Sequence, residues 1–368
     1  MRSRLAATLL ILALPLFAGE WKLALPGYHY EFPRDHFSHP DYQTEWWYYT
    51  GNLRAPDGHR FGFELTFFRQ ATETPQQAMT EARDVWSPAQ IYLAHLALSD
   101  IDGQHFYHTE RLNRAGPGLA GAGFEDRRYW NGNWQVRWDS KNSNGQMLQA
   151  IYNDFQLALQ LNPDKAFVIH GRNGVSQKGP EPGRASHYIS FTRIAASGQL
   201  ALHGEKYSVS GLAWMDHEFF TEQLDPTQAG WDWFAIQLDN HEELMLYRLR
   251  KKSGQGDPYT SGTYVDQKGN AHFLDGSQLF FSSGGTWKSS QSGTSYPMSW
   301  QIRIPTLDLE LSEQTALKDQ ELFSKNSVTA GYWEGAVTYK GQIHARPVEG
   351  LGYLEMTGYG EPLTLGHE

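Results

Sequence analysis

The stretch VSGLAWMDHEF, residues 209–219, sets Asp216, His217 and Glu218 in a row directly behind an apolar run. A strand that only has to pack has no use for three ionisable side chains at its inner end. Alternate side chains on a strand share a face, so Trp214, Asp216 and Glu218 point one way while Met215 and His217 point the other. An Asp desolvated beside an indole has its pKa raised and stays protonated at neutral pH. In an apolar pocket such an acid delivers a proton to a carbon–carbon double bond. Aromatic faces then hold the cation, worth about 2 kcal/mol or more when desolvated, until water quenches it. The chemistry these residue types would support is cofactor-free hydration, with Asp216 as the acid and Trp214 as a ligand-binding wall; the competing reading of Asp216 is structural, an acceptor of hydrogen bonds from barrel-closing backbone or an Arg.

The phrase returns as VEGLGYLEMTGY, residues 348–359, with Glu355 where the first copy has Asp216. Glu355 reads as a hydrogen-bond acceptor that repeats because the fold repeats. In EWWYYTGNL, Glu45, Trp47 and Tyr49 share a face; these three, with Glu218 and Trp233, are assigned to ligand contacts. One of Trp46 and Trp47 is expected to plug the closed end of a barrel. Two readings of Glu45 stay open: an ion pair with an Arg such as Arg69 or Arg193, or a second acid/base group lining a cavity. His36 and His39 with Asp35 and Asp41, and His105 with His108, carry no HExxH or comparable metal spacing, so no metal is expected. No GxSxG elbow or phosphate-binding glycine loop is present, and no cofactor is expected.

The elements that must position these groups are strands. FGFELTFF, IYLAHLAL, FQLALQL, AFVIHG, HYISFTRI, WDWFAIQL, ELMLYRLR, WQIRIP and YWEGAVTY are rich in β-formers and separated by DG, NG, GN and GG turns. Outside the N-terminal segment only TPQQAMTEARD, residues 74–84, reads as a helix. Three phrases recur in one order. EWWYYTGNL returns as DWFAIQL, LSDIDGQHF as YVDQKGNAHF, and GQL with VSGLAWMD as GQI with VEGLGYLE. The chain therefore reads as all-β, with a duplicated antiparallel barrel at 28–220 and 230–368 joined by TEQLDPTQA. Closure removes exposed edges, and about eight strands enclose room for one small ligand.

Composition narrows the partners. The net charge of −10 argues against nucleic acid or an anionic membrane surface, and the aromatic content of 14% favours a hydrophobic small molecule. The opening MRSRLAATLLILALPLFAGEW has a basic start and an apolar stretch too short to span a bilayer comfortably. It reads as a signal peptide over 1–18, cleaved or retained as an anchor, which places the protein in the periplasm or outside the cell. With no Cys, the fold relies on its core there.

HPDYQTEWWYYTGNL, VSGLAWMDHEF, GWDWFAIQLDNHEELMLYRLR and YWEGAVTYKG with GLGYLEMTGY resemble the AttH-like, lipocalin-type family that includes the carotenoid 1,2-hydratases and kievitone hydratase. The resemblance spans nearly all of the mature chain. It implies two tandem lipocalin-like barrels with a ligand cavity at or near a shared interface. It also implies that Asp216 works with a His on the preceding strand, which maps onto His187 of HYISFTRI. Those hydratases have an aromatic two residues after that His, where this chain has Ile189, a departure that bears on carotenoid as substrate. The activity implied is hydration or acid isomerisation of an apolar, isoprenoid-like ligand. The competing reading is a non-catalytic envelope protein that ferries a hydrophobic ligand, with an ABC transporter as partner. The first reading requires Asp216 and His187 to lie within hydrogen-bond or one-water reach.

Overall fold

The TEWWYYTGNLR segment has no polar face, and its environment explains why. The computed structural model describes residues 20–80, 89–139, 144–323 and 331–361. The expected signal segment and the helix beyond Thr80 lie outside them; the helix that is described is Pro75–Thr80. One sheet takes β1 (Thr44–Arg54), β2 (Arg60–Ala71), β3 (Gln90–Asp100), β4 (His105–Arg114), β5 (Ala120–Gly123), β6 (Arg128–Asn131) and β7 (Trp134–Trp138). It continues through β8 (Gln146–Tyr152), β9 (Phe155–Pro163), β10 (Val168–Ile169), β11 (Ser176–Gln177), β12 (Ala185–Leu202) and β13 (Glu205–Phe220). Its order is β4-β3-β2-β1-β13-β12-β9-β8-β7-β6-β5, with β10 and β11 on β12. Every pairing is antiparallel.

The ends of this sheet approach one another through side chains. Asn113 Nδ2 on β4 donates to Asn131 Oδ1 on β6 at 2.6 Å, and Asn131 Nδ2 donates to the Arg111 carbonyl at 3.2 Å. The result is a nearly closed barrel, and its interior is filled. Trp47, Tyr49, Phe63, Leu65, Trp138 and Met215 belong to one buried cluster, as a small barrel packed by its own side chains requires. β1 is buried on both faces because a second layer covers its outside.

That layer is built from β14 (Gln228–Leu238), β15 (Glu243–Lys251), β16 (Ser261–Val265), β17 (Ala271–Asp275), β18 (Phe280–Gly284) and β19 (Trp287–Lys288). β20 (Ser295–Tyr296) pairs with β19 as a separate two-stranded sheet, while β21 (Ser299–Ile304), β22 (Leu309–Thr315), β23 (Glu321–Leu322), β24 (Tyr332–Ile343) and β25 (Arg346–Met356) complete the layer, with β23 on β24. The order β17-β16-β15-β14-β25-β24-β22-β21-β18 leaves β17 and β18 unpaired with each other. The second copy is therefore a half-barrel, more open than the closed or nearly closed barrel the sequence led us to expect. It is shorter than the first copy, and its five-residue edge strands curl over Trp300, Ile302 and Phe234 without meeting.

The duplication holds at the level of register. Gly198 opposes Val209 in the β12–β13 pair, and Gly341 opposes Val348 in β24–β25. Asp216 and Glu355 consequently occupy equivalent positions on equivalent strands. Across from them stand Ser190 and Glu334 on one side, Tyr48 and Trp233 on the other. A bulge between Phe191 and Ile194 supplies the one residue by which β12 exceeds β24 over this span.

The halves dock face to face. Gly62 on β2 permits the contact: a Cβ there would stand 2.7 Å from the Ala336 Cβ and 2.9 Å from the Tyr353 hydroxyl. Gln237 Nε2 donates to the carbonyls of Thr192 and Ala213 at 2.9 Å. Buried Arg193 and half-buried Lys165 both pair with Glu243, at 2.5 and 2.8 Å.

Candidate active site

A cavity of about 460 Å³ lies between the two sheets, a volume typical of small-molecule sites. From the first half Trp46, Tyr48, Phe68, Leu93, Tyr188 and Asp216 line it; from the second Trp231, Trp233, Tyr247, Leu249, Glu334 and Glu355 do so. Leu112, an exposed residue of β4, also lines it and marks where it meets solvent. The walls are the outer face of the barrel and the concave partner that covers it. The lumen is not the site, because the alternate residues of β1, β2 and β13 fill it.

Asp216 is buried in this wall and meets, among the described residues, three donors and no cation. Trp214 Nε1 donates to its Oδ1 at 2.6 Å, Ser190 Oγ donates to the same oxygen, and the Tyr188 hydroxyl donates to Oδ2 at 2.5 Å. Burial pushes its carboxyl up to about 7, against the pull of those donors. Tyr188 accepts from Trp233 Nε1 at 3.0 Å. Behind Ser190 stands His170, whose Nε2 lies 2.7 Å from Ser190 Oγ and whose Nδ1 lies 2.8 Å from Thr263 Oγ1. Burial, and then the nearby Lys178, hold this imidazole down at about 3, so it is neutral. Lys178 Nζ sits 4.0 Å from the Tyr247 ring centre and 3.5 Å from Glu218 Oε2. Glu218 itself accepts from Ser186 Oγ and from Gln223 Nε2.

A second group of carboxyls comes from other strands. The Tyr48 hydroxyl donates to Glu334 Oε1, Thr66 Oγ1 to Glu64 Oε1, and Trp231 Nε1 to Glu355 Oε2 at 2.8 Å. The remaining oxygen of Glu64 is buried without a hydrogen-bond partner among the described residues. Burial, with the other carboxyls beside them, raises all three: Glu64 to about 8, Glu355 to about 7, and Glu334 well above the usual range.

The sequence-based candidates separate onto two faces. Asp216, Glu218 and Trp233 reach the cavity, and Trp214 backs Asp216 from the cluster behind the wall. His187 does not join them. Asp216 pairs in register with Ser190, and His187 pairs with Phe219; within 187–191 the even-numbered residues face the cavity. The side chains facing Asp216 are therefore Tyr188 and Ser190, and His187 lies on the other face, packed at a tilt against Tyr28 and Phe219 with Nδ1 3.2 Å from the Gly174 carbonyl. A one-residue offset on a strand exchanges faces.

Glu45, Trp47 and Tyr49 also point away from the cavity, into the barrel. Glu45 pairs with Arg69 at 2.9 Å, the ion-pair reading of this residue; Arg193 is engaged by Glu243. His39 Nδ1 and His217 Nε2 approach Glu45 Oε1 at 2.7 and 2.8 Å. Among the described residues, His39, Glu45 and His217 form the one grouping with the spacing of metal ligands. Arg69 Nε and the His39 amide occupy the other oxygen of Glu45, so neighbouring donors account for both oxygens. Trp47 stacks on Tyr129 and His217, and the Tyr49 hydroxyl meets Tyr129 and Gln146. Their contacts are those of a packed core.

Sequence reasoning missed Tyr188, Ser190, His170, Tyr48 and Glu334. Glu334 carried the same mark as Asp216, a carboxylate inside the apolar strand YWEGAVTY. His170 carried none beyond a polar end to AFVIHG.

Residues 23–359 match the AttH-like family. A protein of Nitrosomonas europaea designated AttH is 33% identical, with 92% of this chain and 99% of that one covered and a TM-score of 0.82. This chain belongs to the AttH-like family. Kievitone hydratase from Nectria haematococca shares the fold at 14% identity, covering 93% of this chain and 97% of its own, with a TM-score of 0.69. Comparison with curated proteins gives no significant match.

Proposed function

We propose that this AttH-like protein is a cofactor-free hydratase that adds water across a carbon–carbon double bond of a largely apolar, isoprenoid-like ligand held between its two halves. The observation that carries the reading is Asp216: a carboxyl titrating about 7, buried in a cavity wall among neutral donors and next to the indoles of Trp214 and Trp233. Such a group exchanges a proton with a reacting ligand at neutral pH. The Trp233 indole, which lines the cavity, holds the cation in between. Tyr188 takes the place expected of His187, as the partner that orients the carboxyl. The likeness in fold to kievitone hydratase supports the reaction class. The N-terminal sequence supports action in the periplasm or outside the cell.

The alternative is a carrier, favoured by the aromatic and aliphatic lining of the cavity. Two variants separate the readings, with binding of a co-purifying lipid followed by tryptophan fluorescence and its conversion by mass spectrometry. In a hydratase, Asp216→Asn keeps binding, since Asn is nearly isosteric, and lowers turnover on the order of 10² to 10⁴-fold. Trp46→Ala weakens binding by removing a large apolar contact. A carrier responds to Trp46→Ala alone and returns the lipid unchanged from every variant.

A further inference from the structure

We propose that the cavity divides its acid and base between the two copies of the duplicated domain: Glu334, from the second half, donates the proton, and Asp216, from the first, is the base. This rests on the hydratase reading and assigns roles within it. Donors and acceptors distinguish the two carboxyls. Trp214 Nε1 can only donate, and it points at Asp216 Oδ1. The Tyr188 oxygen already accepts from Trp233 Nε1, which leaves its hydrogen for Asp216 Oδ2. Ser190 adds a third donor, with His170 Nε2 placed behind it to donate in turn. Both oxygens of Asp216 are thus provided for as those of a carboxylate.

Glu334 is provided for differently. It meets one donor, the Tyr48 hydroxyl. Around it stand Glu64 and Glu355, held among the described residues by Thr66 and Trp231 alone, where one buried oxygen of Glu64 has no partner. Buried carboxyls crowded together with no cation among the described residues to pair with them cannot all ionise, so the cluster keeps protons that Asp216 does not need. The two centres lie on either side of one indole. The Trp233 ring meets the Tyr48 ring edge-on at 5.1 Å, and its Nε1 reaches Tyr188. A double bond lying on Trp233 has the Tyr48–Glu334 pair at one end and the Tyr188–Asp216 pair at the other.

The step balances without a co-reactant. The O–H bond of Glu334 breaks as the π pair takes the proton, forming a C–H bond and leaving the adjacent carbon cationic over Trp233. A lone pair of water forms the C–O bond, and the resulting oxonium gives its extra proton to Asp216. One water has been added, Glu334 is ionised and Asp216 protonated. Return of that proton from Asp216 to Glu334 through cavity water resets the site.

Infrared difference spectroscopy of the whole protein across a pH titration reads the assignment without a substrate. Of the C=O stretches of the buried protonated carboxyls, the one that survives above the titrations of Glu64, Glu355 and Asp216 should disappear in Glu334→Gln and persist in Asp216→Asn; Glu64→Gln, a control that leaves Glu334 in place, should move its titration to lower pH. The opposite pattern, or no protonated-carboxyl band in the wild type, overturns the proposal. A second readout uses total lipid extract in water labelled with deuterium and heavy oxygen. Asp216→Asn should still wash deuterium into carbon while losing oxygen incorporation, and Glu334→Gln should lose both by about 10²-fold or more. Oxygen incorporation that survives Glu334→Gln overturns the division of roles. A wild type that incorporates none sinks the hydratase reading instead, and the infrared result then stands by itself.

Discussion

Asp216 was legible because a carboxylate directly behind an apolar run has few structural uses, and alternation along β13 correctly grouped it with Trp214 and Glu218. Its partner was not legible. Tyr188 and His187 are adjacent, and only the register of β12 against β13 decides which of them faces Asp216. Tyr188→Phe removes one hydrogen bond to a carboxyl, worth about 1.5–3 kcal/mol for a charged acceptor. It should therefore lower turnover roughly 10- to 100-fold and shift the pH at which activity is half-maximal. His187→Gln disturbs a fully buried ring on the far face, so it should lower stability and leave turnover per folded molecule unchanged. Kinetics on both variants, normalised to folded protein, decide the point: a larger loss in His187→Gln restores the sequence-based pair and removes Tyr188.

At the scale of the element, two features hidden in the sequence set the site. The first is the bulge between Phe191 and Ile194, which inserts one residue into β12 and moves the preceding segment to the opposite alternation. Counting back from Ile194 would have placed His187 on the wrong side without it, and nothing in HYISFTRI announces it. The second is the identity of the faces. Alternation on β1 separates Glu45, Trp47 and Tyr49 from Trp46 and Tyr48, but both sets are apolar enough for a core, so sequence could not say which one meets the ligand. The answer comes from the second sheet, which docks on β2 at Gly62. Gly62→Ala forces its Cβ against Ala336 and should destabilise the protein by about 1–3 kcal/mol, as overpacking does. Adding Ala336→Gly should recover much of that loss. Urea denaturation of the single and double variants checks this; additive losses would mean that the two positions do not touch.

At the scale of the whole molecule, the three recurrent phrases revealed the duplication, and the equal register of Gly198–Val209 and Gly341–Val348 expresses it. The half-open second sheet was not visible, because closure depends on edge strands whose lengths the pattern does not fix. Joining two related faces puts buried carboxyls from both copies into one interface, with a consequence for pH. Groups whose folded-state pKa is raised, such as Glu64 to about 8 and Asp216 to about 7, stabilise the fold fully below the ordinary carboxylate range. That stability is lost as pH rises through the raised values. Glu64→Gln should therefore differ little from wild type near the ordinary carboxylate pKa and be the more stable protein above about pH 8, by more than about 1.4 kcal/mol, the equivalent of one pKa unit. Denaturation at the two pH values measures it, and a wild type that gains stability across that interval would contradict the buried cluster. The central claim is that the cavity between the halves adds water to its ligand. The direct measurement is mass spectrometry of lipid extract incubated in heavy-oxygen water with the wild type and with Asp216→Asn. The account predicts a product one water heavier carrying the oxygen label with the wild type and its near absence with the variant; a ligand recovered unlabelled and unchanged from both would contradict it.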